Sequence, residues 1–225
     1  MDALIRHFLN WDALWRARFV LAEGAIGSLQ LGAAALAAAP VVGALVLALQ
    51  AAPVRGMRSA VEWFIDTMRA FPLLVLLVIA FYVLLPMAGV RVDPFTAALV
   101  AFALKHGVFF AEIYRGAWLA IDRGQFAAAA ALGLSRAQAI RLVVVPQMLP
   151  IMLPSLASQA TLLVRDLPLA FVIGYFEILT SARASQVFTR NSTPLVGAVA
   201  GYCLLLVVLQ VLASRAEARV TRVER

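Results

Sequence analysis

The sequence predicts an all-α integral membrane protein, and three observations carry that reading. Of its 225 residues 64% are hydrophobic, with a mean hydropathy of +0.93, where a soluble domain sits nearer about 45–50% apolar. The apolar residues gather into runs able to cross a bilayer, which takes about 20 residues as helix. No run alternates apolar and polar residues as a membrane barrel would, so helix is the spanning form.

Five spans follow in order. The first runs from about Ala25 to Leu49, with Pro40 as an expected kink. The second is Phe71 to Pro86, preceded by a helical stretch from Met57 to Arg69. The third covers Phe95 to Trp118. The fourth starts after Pro146 and reaches about Tyr175, interrupted by Pro150, Pro154, Arg165-Asp166 and Pro168. The fifth is Leu195 to Ala213. The expected organisation is therefore a segment 1–24 lying in the membrane interface, a transmembrane domain 25–214 and a tail 215–225. The interfacial reading of the first segment rests on Leu4, Phe8, Trp11 and Trp15 at helical spacing beside Arg6, Arg16 and Arg18. Its mixed charges and missing apolar core do not read as a secretory signal.

Charge sets the orientation. The net charge of +7 suggests nucleic-acid binding at first sight. The basic residues, however, lie between apolar spans and not on one face, which fits a positive-inside topology. With the C-terminus inside, the inner segments hold Arg55, Arg58, Arg69, Arg115, Arg123, Arg136, Arg141, Arg215, Arg219, Arg222 and Arg225. The outer segments hold Arg6, Arg16, Arg18, Arg91, Arg183 and Arg190. This places the loop of about 119–146 in the cytoplasm. Cys203 is the single cysteine and lies in an apolar run, so packing is its expected role. Asn191-Ser192-Thr193 matches a glycosylation pattern too short to weigh. No phosphate loop, nucleophile elbow or metal-ligand spacing is present, so no catalytic residue and no metal site are expected.

The 119–146 loop is the most informative stretch. The alanines from Ala127 to Ala131 favour helix and leave a smooth surface. Gly133 suits a left-handed turn that ends this helix, and Ser135 suits the N-cap of the next. That next helix carries Arg136, Gln138, Ile140, Arg141 and Leu142. Pro146 is expected to stop or bend the chain as it re-enters the membrane. A helix–turn–helix projecting from a bilayer fits a groove on another protein; the plain alternative is an alanine-rich connector without a partner.

With these residues on the page, the chain resembles the permease subunits of ATP-binding-cassette importers, in the polar amino-acid uptake family. The segment Gly124-Gln125 through Ala128, Ala129, Leu132, Gly133, Ser135, Arg136 and Val145-Pro146 resembles that family's EAA motif, whose coupling helix docks on the ATPase. Met68-Arg69-Ala70-Phe71-Pro72-Leu73 resembles its Arg-Gly-Thr-Pro-Leu segment. Glu112-Ile113-Tyr114-Arg115-Gly116-Ala117 is close to its usual form, and Arg165-Asp166-Leu167-Pro168-Leu169 resembles Lys-Asp-Thr-Ser-Leu. The likeness runs from about Gly24 to Ala213. The motif's glutamate falls at Ala127 here, Val145 replaces a leucine, and Leu167-Pro168 replace the usual Thr-Ser. The resemblance implies a type I importer permease fold of five spans with a cytoplasmic coupling helix. It implies two ATPase subunits that bind ATP and Mg2+, a second permease identical or homologous to this one, and a periplasmic binding protein. Membrane lipid and an amino-acid cargo complete the partners, and the location would be a bacterial inner membrane. Glutamate/aspartate-type permeases are the nearest resemblance, which gives a lean toward acidic cargo.

Six charged or titratable residues fall inside spans. Lys105 and His106 lie near the middle of the third, where a charge costs about 2.5–3.5 kcal/mol. They read either as a wall of the translocation pathway, with Lys105 meeting a cargo carboxylate, or as structural residues, with Lys105 paired to Asp166 or snorkelling. Arg165 and Asp166 read as pathway residues or as a salt bridge shaping the fourth span. Glu112 and Arg115, one turn apart, read as a local ion pair or a gate. The rivals to an ATP-driven permease are an ATP-independent channel or carrier that uses Lys105, Arg165 and Asp166, and a non-transporting scaffold.

Overall fold

The computed structural model describes residues 7–89 and 92–222; Leu4, Arg6, Arg91 and Arg225 of the sequence argument lie outside that description. The described residues are helical throughout. Helix α1 is Trp11–Gln50, α2 is Met57–Ala70 and α3 is Leu73–Ile79. Helix α4 is Pro94–Ala120, α5 is Gly124–Ala131 and α6 is Arg136–Ala139. Helix α7 is Val145–Asp166, α8 is Ile178–Thr189 and α9 is Thr193–Arg222. Four helical stretches are long and apolar enough to cross a membrane, or five if the bent pair of α2 with the helix through Met87 counts as one.

Packing explains the centre of the fold. Helices α1 and α4 meet along small residues: Ala35, Ala39 and Gly43 on one, Ala97, Ala98, Ala101 and Gly107 on the other. Small side chains let helix backbones approach closely where no hydrophobic drive separates protein from lipid. The main core joins this seam to Leu73, Leu76 and Leu77 of α3 and to Leu163, Leu167 and Ala170 of the fourth span. Asp93 starts α4 by accepting the Thr96 amide and hydroxyl, which holds its carboxyl below the usual carboxylate range.

Two expected boundaries meet continuous helix. Residues 11–24 are not set apart from the first span by any break. They continue α1 without a break, because Ala13, Ala17 and Gly24 give that stretch a buried face of its own. Its other side keeps Trp11, Trp15 and Phe19 exposed, with the Arg18 guanidinium 4.1 Å from the Trp15 ring and 4.2 Å from Phe19. At about 1.5 Å per residue α1 is longer than a bilayer core. Nor does Pro146 stop its helix. A π turn at Ile140–Val144 joins α6 to α7, and Val145 N donates to Ile140 O. A second π turn at Ala80–Leu84 stands in the same place before Pro86, with Leu85 N donating to Ala80 O. A proline cannot donate to the carbonyl four residues back and crowds it; one wider turn removes the clash and keeps the helix running.

Helix α8 is not among the elements expected from the sequence. It folds back along α1, where Gly24 and Gly27 admit Ser181 and the Phe176 backbone. Its N-cap is Glu177, fully buried, which accepts from Leu179 N at 2.7 Å and Thr180 N at 2.6 Å. Tyr202 also donates to Glu177, and Tyr175 donates to Gly27 O at 2.9 Å. This knot ties α1, α8 and α9 together.

The α1–α4 seam gives a direct test. A Cβ added at Gly43 would lie 2.6 Å from Phe110 Cβ and 2.9 Å from Gly107 O, whereas one at Gly116 meets nothing. Gly43→Val is expected to destabilise the purified protein by about 1–3 kcal/mol or more, and Gly116→Ala to leave it unchanged, as read from thermal unfolding in detergent.

Candidate functional site

The first candidate site is the projecting segment α5–α6. Helix α5 ends in a Schellman turn: Leu134 N donates to Ala129 O at 3.0 Å, and Gly133 N to Ala130 O at 3.0 Å. Gly133 adopts φ +77°, the left-handed region that favours glycine. A capping box follows at once, in which Ser135 N donates to Gln138 Oε1 at 2.9 Å and Gln138 N to Ser135 Oγ at 3.4 Å. The turn is therefore fixed from both sides by the residue types the sequence singled out. Gly124 N donates to Asp122 Oδ1 at 2.6 Å as α5 begins. Ala127, Ala128, Leu132, Gly133, Ser135 and Arg136 are exposed, and Leu132 is 80% so. Ala129 alone of that set turns inward, where it is buried. Phe126 packs against Trp118 and a core of Ala117, Ile121, Val144 and Met148, and Gln147 donates to Gln125 at 3.2 Å. These contacts fasten the segment to the ends of α4 and α7.

The second candidate site lies at the middle of the bundle. His106 is 3% exposed, and its Nδ1 is 2.9 Å from Gln159 Nε2. Taking the Gln159 amide nitrogen as donor to Nδ1 assigns the ring proton to Nε2. Nε2 is 3.4 Å from Asp166 Oδ2 yet forms no aligned hydrogen bond, so a buried donor is left open toward a half-exposed carboxylate. Asp166 stands where the fourth span changes from α7 into a 3-10 turn, Leu167–Ile173. Arg165 beside it is exposed and makes no ion pair among the described residues. The structure thus joins His106 and Asp166 and leaves Arg165 unpaired, so the expected Arg165–Asp166 salt bridge is absent there.

Lys105 goes elsewhere. Its Nζ donates to Met68 O at 2.8 Å, Arg69 O at 3.0 Å and Phe71 O at 2.7 Å, all at the bend between α2 and α3. It forms no ion pair with Asp166 among the described residues. Glu112 and Arg115 do pair, at 2.8 Å and 3.2 Å in a two-point contact.

Two grooves connect these groups. One, of 840 Å³, runs between the end of α1, α2 and the end of α4, and is lined by Glu62, Asp66, Arg69, Glu112, Arg115 and Arg136. The other, of 370 Å³, lies between α4 and α7, from Glu112 past Gly116 and Ser155 to Gln159. Charges inside a bundle face partners or water-filled space and not lipid; the first groove gathers several such charges, while the second is mostly apolar with Glu112, Ser155 and Gln159 along it. Glu112 borders both. Sequence reasoning missed Gln159 because a lone amide in an apolar run carries no spacing signal; its place five residues after Pro154, in a prolyl-broken span, is the only hint.

The residues 29–222 match the family model of the binding-protein-dependent transport system inner membrane component. The glutamine transport system permease protein GlnP of Escherichia coli (strain K12) is 36% identical over 218 residues, covering 93% of this chain and 97% of that protein. The L-cystine transport system permease protein TcyB of Bacillus subtilis (strain 168) is 33% identical over 149 residues, 66% of this chain and 62% of that one. Among solved structures, an amino acid ABC transporter crystallised with histidines superposes with a TM-score of 0.84 at 26% identity, over 93% of this chain and 98% of that one. The inward-facing MetNI methionine transporter shares the fold, with a TM-score of 0.76 at 20% identity, over 90% of this chain and 97% of that one. A helical bundle with a capped, projecting α5–α6 segment and a match across almost its whole length makes this chain a member of the binding-protein-dependent transport system inner membrane component family: a non-enzymatic permease subunit of an ABC importer.

Proposed function

We propose that this permease imports a polar amino acid across a bacterial inner membrane with its C-terminus in the cytoplasm, and that α5–α6 is the lever through which ATP hydrolysis drives it. Two separate ATPase subunits would bind ATP and Mg2+ and receive the two levers of a permease pair, identical or homologous. An external binding protein would deliver the cargo, and this chain itself would hold no cofactor. ATPase closure then swings the levers and turns the pathway from inward- to outward-facing. The observation that carries the lever is its stiff, exposed tip: Ala127, Ala128 and Leu132 project from a turn closed by Gly133 and capped by Ser135. Arg136 reaches from the lever into the groove that also borders Glu112 and Arg115, which gives that ion pair a place beside the moving part.

The mid-bundle cluster is the proposed cargo contact. A zwitterion needs an anion for its ammonium and a cation for its carboxylate; Asp166 and Arg165 offer both side by side. His106 Nε2 is a buried donor without a hydrogen-bond partner, and a cargo side-chain oxygen would meet it. An amide-bearing cargo of the glutamine kind fits this set, as do the relatives named for glutamine. Acidic cargo stands as a second reading, favoured by the unpaired Arg165; Lys105 no longer supports it, because its three donors are engaged.

Two experiments test the proposal. Gly133→Val must force a β-branched residue into left-handed backbone, and in vesicles holding the whole importer it is expected to abolish transport-coupled ATP hydrolysis while the protein still inserts; intact stimulation would remove the lever assignment. For cargo, ATP-dependent uptake of labelled glutamine is measured against unlabelled competitors. Asp166→Asn is expected to lower uptake by about 10–100-fold, of the order lost with a hydrogen bond to a charged group. Stronger competition by glutamate than by glutamine establishes the acidic reading, and uptake without any ATPase establishes an ATP-independent carrier.

A further inference from the structure

Two helix breaks meet in the middle of this bundle, and consecutive residues of α4 attend to them. The first lies in the second span, where α2 ends, Pro72 follows and the chain turns by 107° into α3. Pro72 has no N–H to give Met68 O. The turn also withdraws the amides that a continuous helix would bring to Arg69 O and Phe71 O. Among the described residues the backbone bonds near the break are Phe71 N to Thr67 O and Leu76 N to Pro72 O, so none serves these three carbonyls. Lys105 does. An ammonium has three donors and here each meets one carbonyl, at 2.7–3.0 Å. Two of the bonds go to the last turn of α2 and one to the linker that follows it, so together they hold the start of the bend against α4. The charge also sits at the negative end of α2, where a cation is favoured. Phe109, one turn on, lies 5.5 Å from Lys105 Nζ and 6.0 Å from the Arg69 guanidinium, flanked by both.

His106, the next residue, faces the second break, where α7 gives way to the 3-10 turn and Asp166 stands. The two breaks also touch directly: Leu73, Leu76 and Leu77 share one buried cluster with Leu163, Leu167 and Ala170. Helix α4, which carries both Lys105 and His106, ends at Ala120, and the projecting segment starts at Gly124.

We propose that Lys105 is a positioning residue for cargo transfer. It clamps the elbow of the second span to α4, so that the elbow, His106 and Asp166 shift as one body when the α5–α6 lever moves. It acts through backbone carbonyls, which engage all three of its donors, and does not touch cargo. The proposal rests on the importer reading, with the cargo cluster at His106 and Asp166.

The test uses the whole importer in vesicles, with its ATPase and binding protein, and compares wild type with Lys105→Met and Lys105→Arg. The readouts are ATP hydrolysed per labelled glutamine imported and the KM for the cargo-loaded binding protein. Lys105→Met is expected to keep basal ATP hydrolysis within about twofold but to import about tenfold less cargo per ATP at unchanged KM. Lys105→Arg, which keeps charge and several donors, is expected to recover most of the lost coupling. A wild-type ratio in Lys105→Met overturns the proposal, as does no recovery with arginine. A loss that excess cargo reverses also overturns it, because that marks direct cargo contact. Should Lys105→Met fail to assemble, Lys105→Gln, with two donors and no charge, is judged by the same ratio. Wild-type uptake in the same vesicles tests the importer reading by itself, while the clamp is judged only from ratios between variants.

Discussion

A backbone carbonyl released by a helix break inside a membrane must be met by the protein, because the lipid offers no donor and an unmet group costs several kcal/mol. This chain breaks or bends its helices repeatedly, and each break has its own answer. Before Pro86 and Pro146 a π turn shifts the bonding by one residue and the helix continues. After Asp166 the fourth span tightens into 3-10 bonding through Ile173, and Gly174 closes it in the left-handed region. At Pro72 the bend is too sharp for either device, and Lys105 supplies the donors from a neighbouring helix. A lone lysine at this depth and three bare carbonyls are each costly; matched, they remove one another's cost.

Around these breaks the rest of the molecule is rigid. Helices α1 and α4 interlock through glycines and alanines too close to admit larger side chains. The Glu177 knot fastens α1, α8 and α9 by satisfying a buried carboxylate with two backbone amides, the Thr180 hydroxyl and Tyr202. At the other end the space between α1, α2 and α4 stays open, and α5–α6 projects from it. The least packed parts of the described residues are therefore the helix breaks and the open space beside α5–α6.

Much of this was legible in the sequence where the signal is local. Apolar runs located the spans, since lipid forces helix on any long run. Gly133, Ser135 and Gln138 announced the turn because each residue type is selected by one backbone geometry. Glu112 and Arg115 announced their pairing because three residues make nearly one helical turn. What stayed hidden depends on partners without sequence identity. Lys105 finds carbonyls, which any residue could supply, so pairing by charge pointed wrongly toward Asp166. Gln159 matters only because α7 brings it against His106. Helix α8 is too short and too polar to read as a span, and its buried start is a glutamate, which composition alone places at a surface. The continuity of residues 11–24 with the first span was hidden because Ala13, Ala17 and Gly24, which bury one side of that stretch, carry less signal than the aromatic residues Trp11 and Trp15.

On the lever reading proposed for α5–α6, shape would substitute for charge. Ala127 stands where the EAA motif that this segment resembles has a glutamate, so the proposed docking would lack one charged contact. A lever needs two other properties: its tip must not bend under load, and its base must move with the helices it drives. The Schellman turn and the capping box remove the freedom of the turn between α5 and α6, using backbone bonds that no partner has to provide. At the base, Phe126 is held by Trp118, and Gln125 by Gln147, so the lever is tied to α4 and to α7 at once. On the proposed lever reading, force applied at Leu132 would reach both helices of the proposed cargo cluster, α4 with His106 and α7 with Gln159 and Asp166. In such an arrangement the stiffness and fit of the exposed tip, and not the strength of one ion pair, would decide how much of the motion is transmitted.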